Sequence, residues 1–225
     1  LLAAPLVVVG ATIPVAMSAA HKGFPNQEAG KLECAPVAIS NSLMFLKDKN
    51  PNPQWTGKAL DVATMKTATS WNAARGCWIF HDNARVGASK NAFWEDKDAY
   101  MKANGYPVMT KTTVVFADIL AAMKAMKDVE LELKGHTVSL VGMTDLGGGK
   151  YSLDIAHDAK QGAGGGTKVE TLTWDGTKFT GAKWVKGFNY AVIEMFMPIP
   201  EPGACALALS AIVCLAMQRR NASIR

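Results

Sequence analysis

Apolar positions in this chain follow three different patterns. Residues 1–20 and 203–217 are nearly continuous apolar runs, whereas the sequence between them is periodic. Residues 34–46 (CAPVAISNSLMFL) carry Val37, Ala38, Leu43, Met44 and Leu46 at helical spacings. This predicts a mostly buried helix that tolerates Pro36 in its first turn. Further helices are predicted over 57–69, over 91–104 (ending at Asn104-Gly105 before Pro107), and over 116–127, with Ile119, Leu120, Met123 and Met126 on one face. From residue 129 the period falls to two. Residues 129–133, 137–143, 151–156, 168–174, 178–180 and 190–196 read as strands, with turns at 145–150 and at Asp175-Gly176. Helices followed by antiparallel strands define an α+β class. No internal repeat is present, and QGAGGG (161–166) reads as a loop because no GK[ST] or helix follows it.

The two apolar ends read as addresses. Residues 1–20 contain no charge, end in small residues, and carry Pro5, Gly10 and Pro14, which oppose a stable buried helix. They match the apolar and cleavage regions of a secretory signal peptide, with the cut expected between Ala20 and His21. At the other end, Pro200-Glu201-Pro202, the apolar stretch 203–217 and Arg219-Arg220 follow one another. That order resembles the PEP-CTERM sorting tail. The resemblance implies an exosortase-type processing enzyme as partner and a transient inner-membrane anchor. Fifteen residues at 1.5 Å each reach roughly 22 Å, short of a ~30 Å hydrocarbon core, so the span is a weak anchor. The expected organisation is a signal peptide over 1–20, one domain over 21–198, and a tail over 199–225 with its membrane segment at 203–217. The mature protein is expected outside the cytoplasm, in the cell envelope or the extracellular space.

Charge and cysteine usage narrow the function classes. Three of the 24 basic residues (Arg219, Arg220, Arg225) lie in the last seven positions, leaving 21 against 19 acidic residues, so the middle is close to neutral. No Lys/Arg stripe is present, and nucleic acid is not an expected partner. Of the four cysteines (34, 77, 205, 214), two fall in the tail. Cys34 and Cys77 could pair in an oxidising compartment, although Cys34 stands where a free thiol is expected. No CxxC or zinc-spaced Cys/His set occurs, and neither metal nor cofactor is expected.

Cys34 opens the first helix, where unpaired N–H groups and the positive dipole end favour a thiolate. His136 follows Gly135 at the start of an alternating strand, a suitable place for the imidazole that would take the thiol proton. Residues 33–38 (ECAPVA) with Asn41 and Leu43, residues 135–143 (GHTVSLVGM) and residues 151–158 (YSLDIAHD) stand in order along the chain. Together they resemble the nucleophile helix, Gly-His strand and Asp-ending strand of papain-like cysteine peptidases of the double-glycine-peptidase-like, bacteriocin-processing-like branch.

The resemblance covers roughly residues 26–160. It implies a helical N-terminal lobe whose nucleophile helix packs on a C-terminal antiparallel sheet or half-barrel. It also implies peptide or protein substrates cleaved through an acyl-enzyme on Cys34. His136 would be general base and acid, Asp158 the orienting carboxylate with Asp154 as alternative, and Gln27 the oxyanion donor beside the Cys34 N–H. Two departures stand out: six residues separate Gln27 from Cys34 where the family usually has five, which brings Asn26 into play, and Ala35 replaces a common glycine. The same layout serves two alternatives, an idle peptide- or polymer-binding domain at the envelope and a transamidase or amidase. Cys77 and His81 stand four apart without an evident third partner. Trp71, Trp78, Trp94, Trp174 and Trp184 read as core or cleft wall.

Overall fold

The computed structural model describes residues 19–81 and 91–198. Residues 1–18 of the expected leader and the whole sorting tail lie outside them. Among the described residues no helix is long and apolar enough to cross a membrane.

The chain runs β1 (Ala19–Ala20), α1 (Cys34–Lys49), a 3-10 turn (Pro53–Trp55), α2 (Val62–Ala68), α3 (Phe93–Ala103), β2 (Val108–Thr113), α4 (Phe116–Lys124), β3 (Asp128–Leu133), β4 (His136–Gly147), β5 (Lys150–Asp158), β6 (Thr167–Trp174), β7 (Phe179–Thr180) and β8 (Phe188–Phe196). All strands join one antiparallel sheet in the order β2-β8-β3-β4-β5-β6-β7, with β1 paired to β4 at Gly142 and Met143. The fold is α+β. One departure from the expected order is β2, a threonine-rich strand between α3 and α4 that pairs along its length with β8.

Each face of the sheet is covered. Val129, Leu131, Leu133, Val138, Leu140, Leu153, Ile155, Ala191 and Ile193 pack with Ile119 and Met123 of α4. On the other face Tyr190 and Val192 join Ile39, Leu43 and Leu46 of α1, Met65 of α2, and Phe93 and Met101 of α3. Helix α1 therefore lies between the sheet and its neighbouring helices, and residues 35–43 are all buried. Its polar members are served locally: the Ser40 hydroxyl donates to Leu60 O (2.6 Å) and that of Ser42 to Ala38 O (2.9 Å).

Strand β3 (DVELEL) is buried on both faces. Its odd residues join the α4 layer, so pleating turns Asp128, Glu130 and Glu132 toward α1. Lys97 of α3 enters the same layer, is fully buried, and is ion-paired to Glu194 of β8. Burial pushes the Asp128 and Glu130 carboxyls up and the Lys97 ammonium down to about 8.

Candidate functional site

The approach to Cys34 is braced on several sides. Leu32 adopts a left-handed conformation (φ 62°), and its carbonyl accepts from Trp71 Nε1 at 2.7 Å. Glu33, the residue before α1, accepts from Gly30 N (3.0 Å) and pairs with Lys66 Nζ (2.6 Å), which sits 3.9 Å from the centre of the Trp71 ring. Gly76 lies so close to Leu32 that a Cβ there would come within 3.1 Å of its carbonyl, which sets the following Cys77 near Cys34. Both cysteines are free.

The Cys34 thiol faces β4. Burial, the largest effect on it, pushes the thiol up from its ordinary value. Thr137 and the N–H of Ala35 lower the thiol pKa, and the Glu132 charge raises it. Cys77, whose thiol donates to Thr69 Oγ1 at 3.4 Å, is pushed up to about 12 by burial, with Cys34 and Glu132 adding to the rise.

His136 is placed elsewhere. It pairs with Leu133 across the β3–β4 hairpin, whereas Thr137 pairs with Glu132. Successive residues of a strand point to opposite faces, so Thr137 faces α1 and Cys34 while His136 faces the α4 layer. There Gln161 Nε2 donates to His136 Nδ1 (3.0 Å), so the ring proton is on Nε2, which donates to His157 Nδ1 (3.0 Å). His157 Nε2 in turn donates to Glu170 Oε2 at 3.1 Å. Glu170 Oε2 also accepts from Lys168 Nζ (2.9 Å) and Trp184 Nε1 (3.2 Å). The Trp184 ring lies 5.3 Å from His136 and 5.2 Å from His157. Burial first, then His157, lowers the His136 imidazole to about 4, and burial also lowers His157.

The expected catalytic residues are therefore not joined as the family resemblance implies. Both His136 nitrogens are engaged with Gln161 and His157, not with Cys34. Asp158 faces the Cys34 side, and its oxygens accept from Ala29 N (2.8 Å) and Lys160 N (2.7 Å), so it does not orient the histidine. Burial raises the Asp158 carboxyl, but these N–H groups outweigh it and hold the carboxyl below its usual range. Asp154 accepts from Thr171 Oγ1 at 2.8 Å. Gln27 Nε2 donates to Ser40 Oγ (2.8 Å) and Asn41 Oδ1 (3.0 Å), more than a turn along α1 from Cys34, and Asn26 Nδ2 donates to Lys168 O. The segment carrying Cys77 and His81 is not helical, and His81 Nδ1 lies 3.3 Å from Glu95.

Sequence reasoning missed Glu132, Thr137, Gln161, Glu170 and the role of His157. Parity carried a signal for the last: His157 is in phase with Leu153 and Ile155, the apolar residues of β5.

A cleft of about 710 Å³ is lined by Arg75, Cys77, Trp78, Ile79, Phe80, His81, Lys134, Gly135 and Asn189. Lys134 and Gly135 also line a second cleft of about 440 Å³, which holds His136, His157, Asp158, Gln161, Lys168, Trp184 and Lys186. Among the described residues no three His, Cys, Asp or Glu side chains form a group able to hold a metal ion. Comparison of the chain with family models, with curated proteins and with solved structures gives no match.

Proposed function

We propose that this is an exported, papain-like cell-envelope domain that binds an extended acidic peptide and does not cleave it. The observation carrying this reading is the engagement of both His136 ring nitrogens, on the face of the sheet away from Cys34. A thiol that burial holds protonated, without an imidazole to accept its proton, is a poor nucleophile. The two clefts meet at Lys134 and Gly135 and suit binding. The first offers Trp78, Ile79 and Phe80 to apolar side chains. Arg75, Lys134, Lys168 and Lys186 supply positive charge along both, and Asp158 is already satisfied by backbone donors.

The test uses a fluorescent peptide alternating Glu and Phe. Binding is expected, unchanged in Cys34→Ala and weakened at least about tenfold in Lys134→Glu, with no cleavage by the wild type. Cleavage that Cys34→Ala abolishes, or no binding by either protein, overturns the reading.

A second reading, a cysteine peptidase or transamidase on the same layout, is favoured by one observation. Cys34 is the first residue of a 16-residue helix, and the backbone N–H groups of Ala35 and Thr137 lower its thiol pKa against burial. Donors in that position suit a thiolate or an oxyanion. This reading requires an imidazole to reach the sulfur during turnover.

A further inference from the structure

Three clefts of the molecule share their walls. The cleft that holds Trp78 and Phe80 meets the lysine-lined one at Lys134 and Gly135. On its other side Ile79, Phe80 and His81 divide it from a third cleft of about 490 Å³. That third cleft is lined by the end of β2 and the residues after it, Thr112 to Val115, with Trp94 and Tyr190 beside them.

Sheet topology makes the three continuous. Neighbouring antiparallel strands alternate in direction, so the last residues of β2, β3 and β5 and the first of β8, β4 and β6 lie at one end of the sheet. Thr113, Asn189, Lys134, His136, Asp158 and Lys168 line the clefts at or beside these strand ends. A single groove therefore crosses six strands. With strands ~4.8 Å apart the crossing is about 24 Å, which an extended chain at ~3.3 Å per residue covers with about seven residues.

The two halves of this groove differ in chemistry. Over β2 and β8 it exposes Phe80, Val114 and Val115, and the acid there, Glu95, lies 3.3 Å from His81. The apolar wall is fixed in the free protein. Trp78 O accepts from Phe93 N at 2.8 Å, Ile79 O accepts from the Tyr190 hydroxyl, and the Phe80 ring stands edge-on to Tyr190 at 5.9 Å. A wall already in place needs no ordering when a ligand arrives. Beyond Lys134, from β4 to β6, the groove carries Lys168 and Lys186. Among the described residues Lys168 pairs with Glu170, while Lys134 and Lys186 have no ion pair. Asp158 beside them is satisfied by Ala29 N and Lys160 N.

We propose that the three clefts form one groove for an extended peptide whose apolar and acidic residues stand in separate blocks. The apolar block lies over β2 and β8, and the acidic block lies from Lys134 to β6. The inference rests on the peptide-binding reading above and narrows its ligand from mixed to segregated sequence. An extended chain turns successive side chains to opposite sides, so an alternating peptide presents one kind of side chain to both halves and matches only one of them. A segregated peptide matches both.

Fluorescence anisotropy on the full chain compares two labelled octapeptides of equal composition, one with four apolar residues followed by four glutamates and one alternating. The block peptide is expected to bind at least about tenfold more tightly. Val114→Glu, at an exposed position of the far apolar end, is expected to weaken the block peptide about tenfold. The same variant should bind a peptide lacking the two outermost apolar residues as the wild type does. Lys186→Glu is expected to weaken both the full and the shortened peptide. Repeating the series on Cys34→Ala keeps the affinities readable if the wild type cleaves.

Equal affinity for the block and alternating peptides overturns the segregated groove and leaves the peptide-binding reading standing. A Val114→Glu protein that binds the block peptide as tightly as the wild type overturns the single groove. No binding of either octapeptide overturns both readings. Sedimentation of the free protein reads the other occupant: a dimer that Val114→Glu dissociates assigns the apolar half to a second copy and overturns the proposal.

Discussion

His136 and Thr137 are adjacent in sequence, yet they open onto two sides of the sheet with opposite electrostatic design. On the His136 side each polar group has a partner: Gln161, His136, His157, Glu170, Lys168 and Trp184 form a continuous hydrogen-bonded chain. On the Thr137 side the acids crowd together, and both oxygens of Asp128 and of Glu130 and one of Glu132 lack hydrogen-bond partners. The first side holds bases that burial keeps neutral, and the second holds acids that burial pushes upward. One residue of displacement along a strand thus separates a satisfied network from a frustrated one, and the candidate catalytic pair is divided between them.

The frustrated side is most easily broken at Lys97, the buried cation paired with Glu194. Removing one partner of such a pair leaves an uncompensated buried charge. Lys97→Met is expected to cost about 3–5 kcal/mol of unfolding free energy, measured by urea titration. Lys97→Met/Glu194→Leu should recover most of that loss, because apolar groups of similar size replace the pair. A loss in the double variant equal to that in Lys97→Met would show that the packing of the lysine stem matters more than its charge.

The next effects concern pH and have opposite signs on the two sides. Glu132 has a folded pKa of about 7 against an ordinary 4.5. Its contribution is full below about 4.5 and lost as pH rises through 7, a span of about 3 kcal/mol at 1.4 kcal/mol per unit. Glu132→Gln should therefore match the wild type near pH 4 and exceed it by up to about 3 kcal/mol at pH 8. His136 is lowered from 6.5 to about 4, so its contribution is present above 6.5 and lost as pH falls through 4. His136→Gln should flatten the acid side of the stability curve by a similar amount, about 3 kcal/mol, and leave the alkaline side alone. Urea midpoints across pH 4–8 check both expectations. A Glu132→Gln protein that gained nothing at pH 8 would show that its carboxyl is not held up by burial.

Much of the scaffold was legible in the sequence because apolar periodicity is a local signal. Helix α1 begins at Cys34 as expected, and the α3, α4, β3, β4, β5 and β8 segments fall within a few residues of their expected places. Strand β2 was missed, since VMTKTT has little apolar content and forms by pairing with a distant strand. The alternation of β3 identified a strand but not the burial of its acidic face, which depends on where α1 and α3 pack. The division of Cys34 from His136 was hidden for the same reason, because spacing in sequence does not reveal which sheet face a helix will cover. The bulge at Val141 blurs the phase further: Leu140 pairs with Ile155 and Gly142 with Asp154, so Met143 rejoins the layer of Val138 and Leu140.

The smallest expected effect gives the sharpest view of the satisfied side. Glu170 is partly exposed, so the loss of its charge in Glu170→Gln should cost only about 1 kcal/mol. The amide oxygen of the variant can still accept from His157 Nε2, which preserves the tautomers along the relay. The charge is lost, however, and with it the bond and the attraction that hold the His157 imidazole up against its burial. The His157 pKa should therefore fall further in Glu170→Gln, as read from ring-nitrogen chemical shifts in an NMR titration. Alkylation at Cys34 by iodoacetamide should stay unchanged, because the relay ends on the opposite face of β4. A changed Cys34 rate in this variant would mean that the two sides communicate across the strand, and the comparison between them would have to be redrawn as a single coupled site.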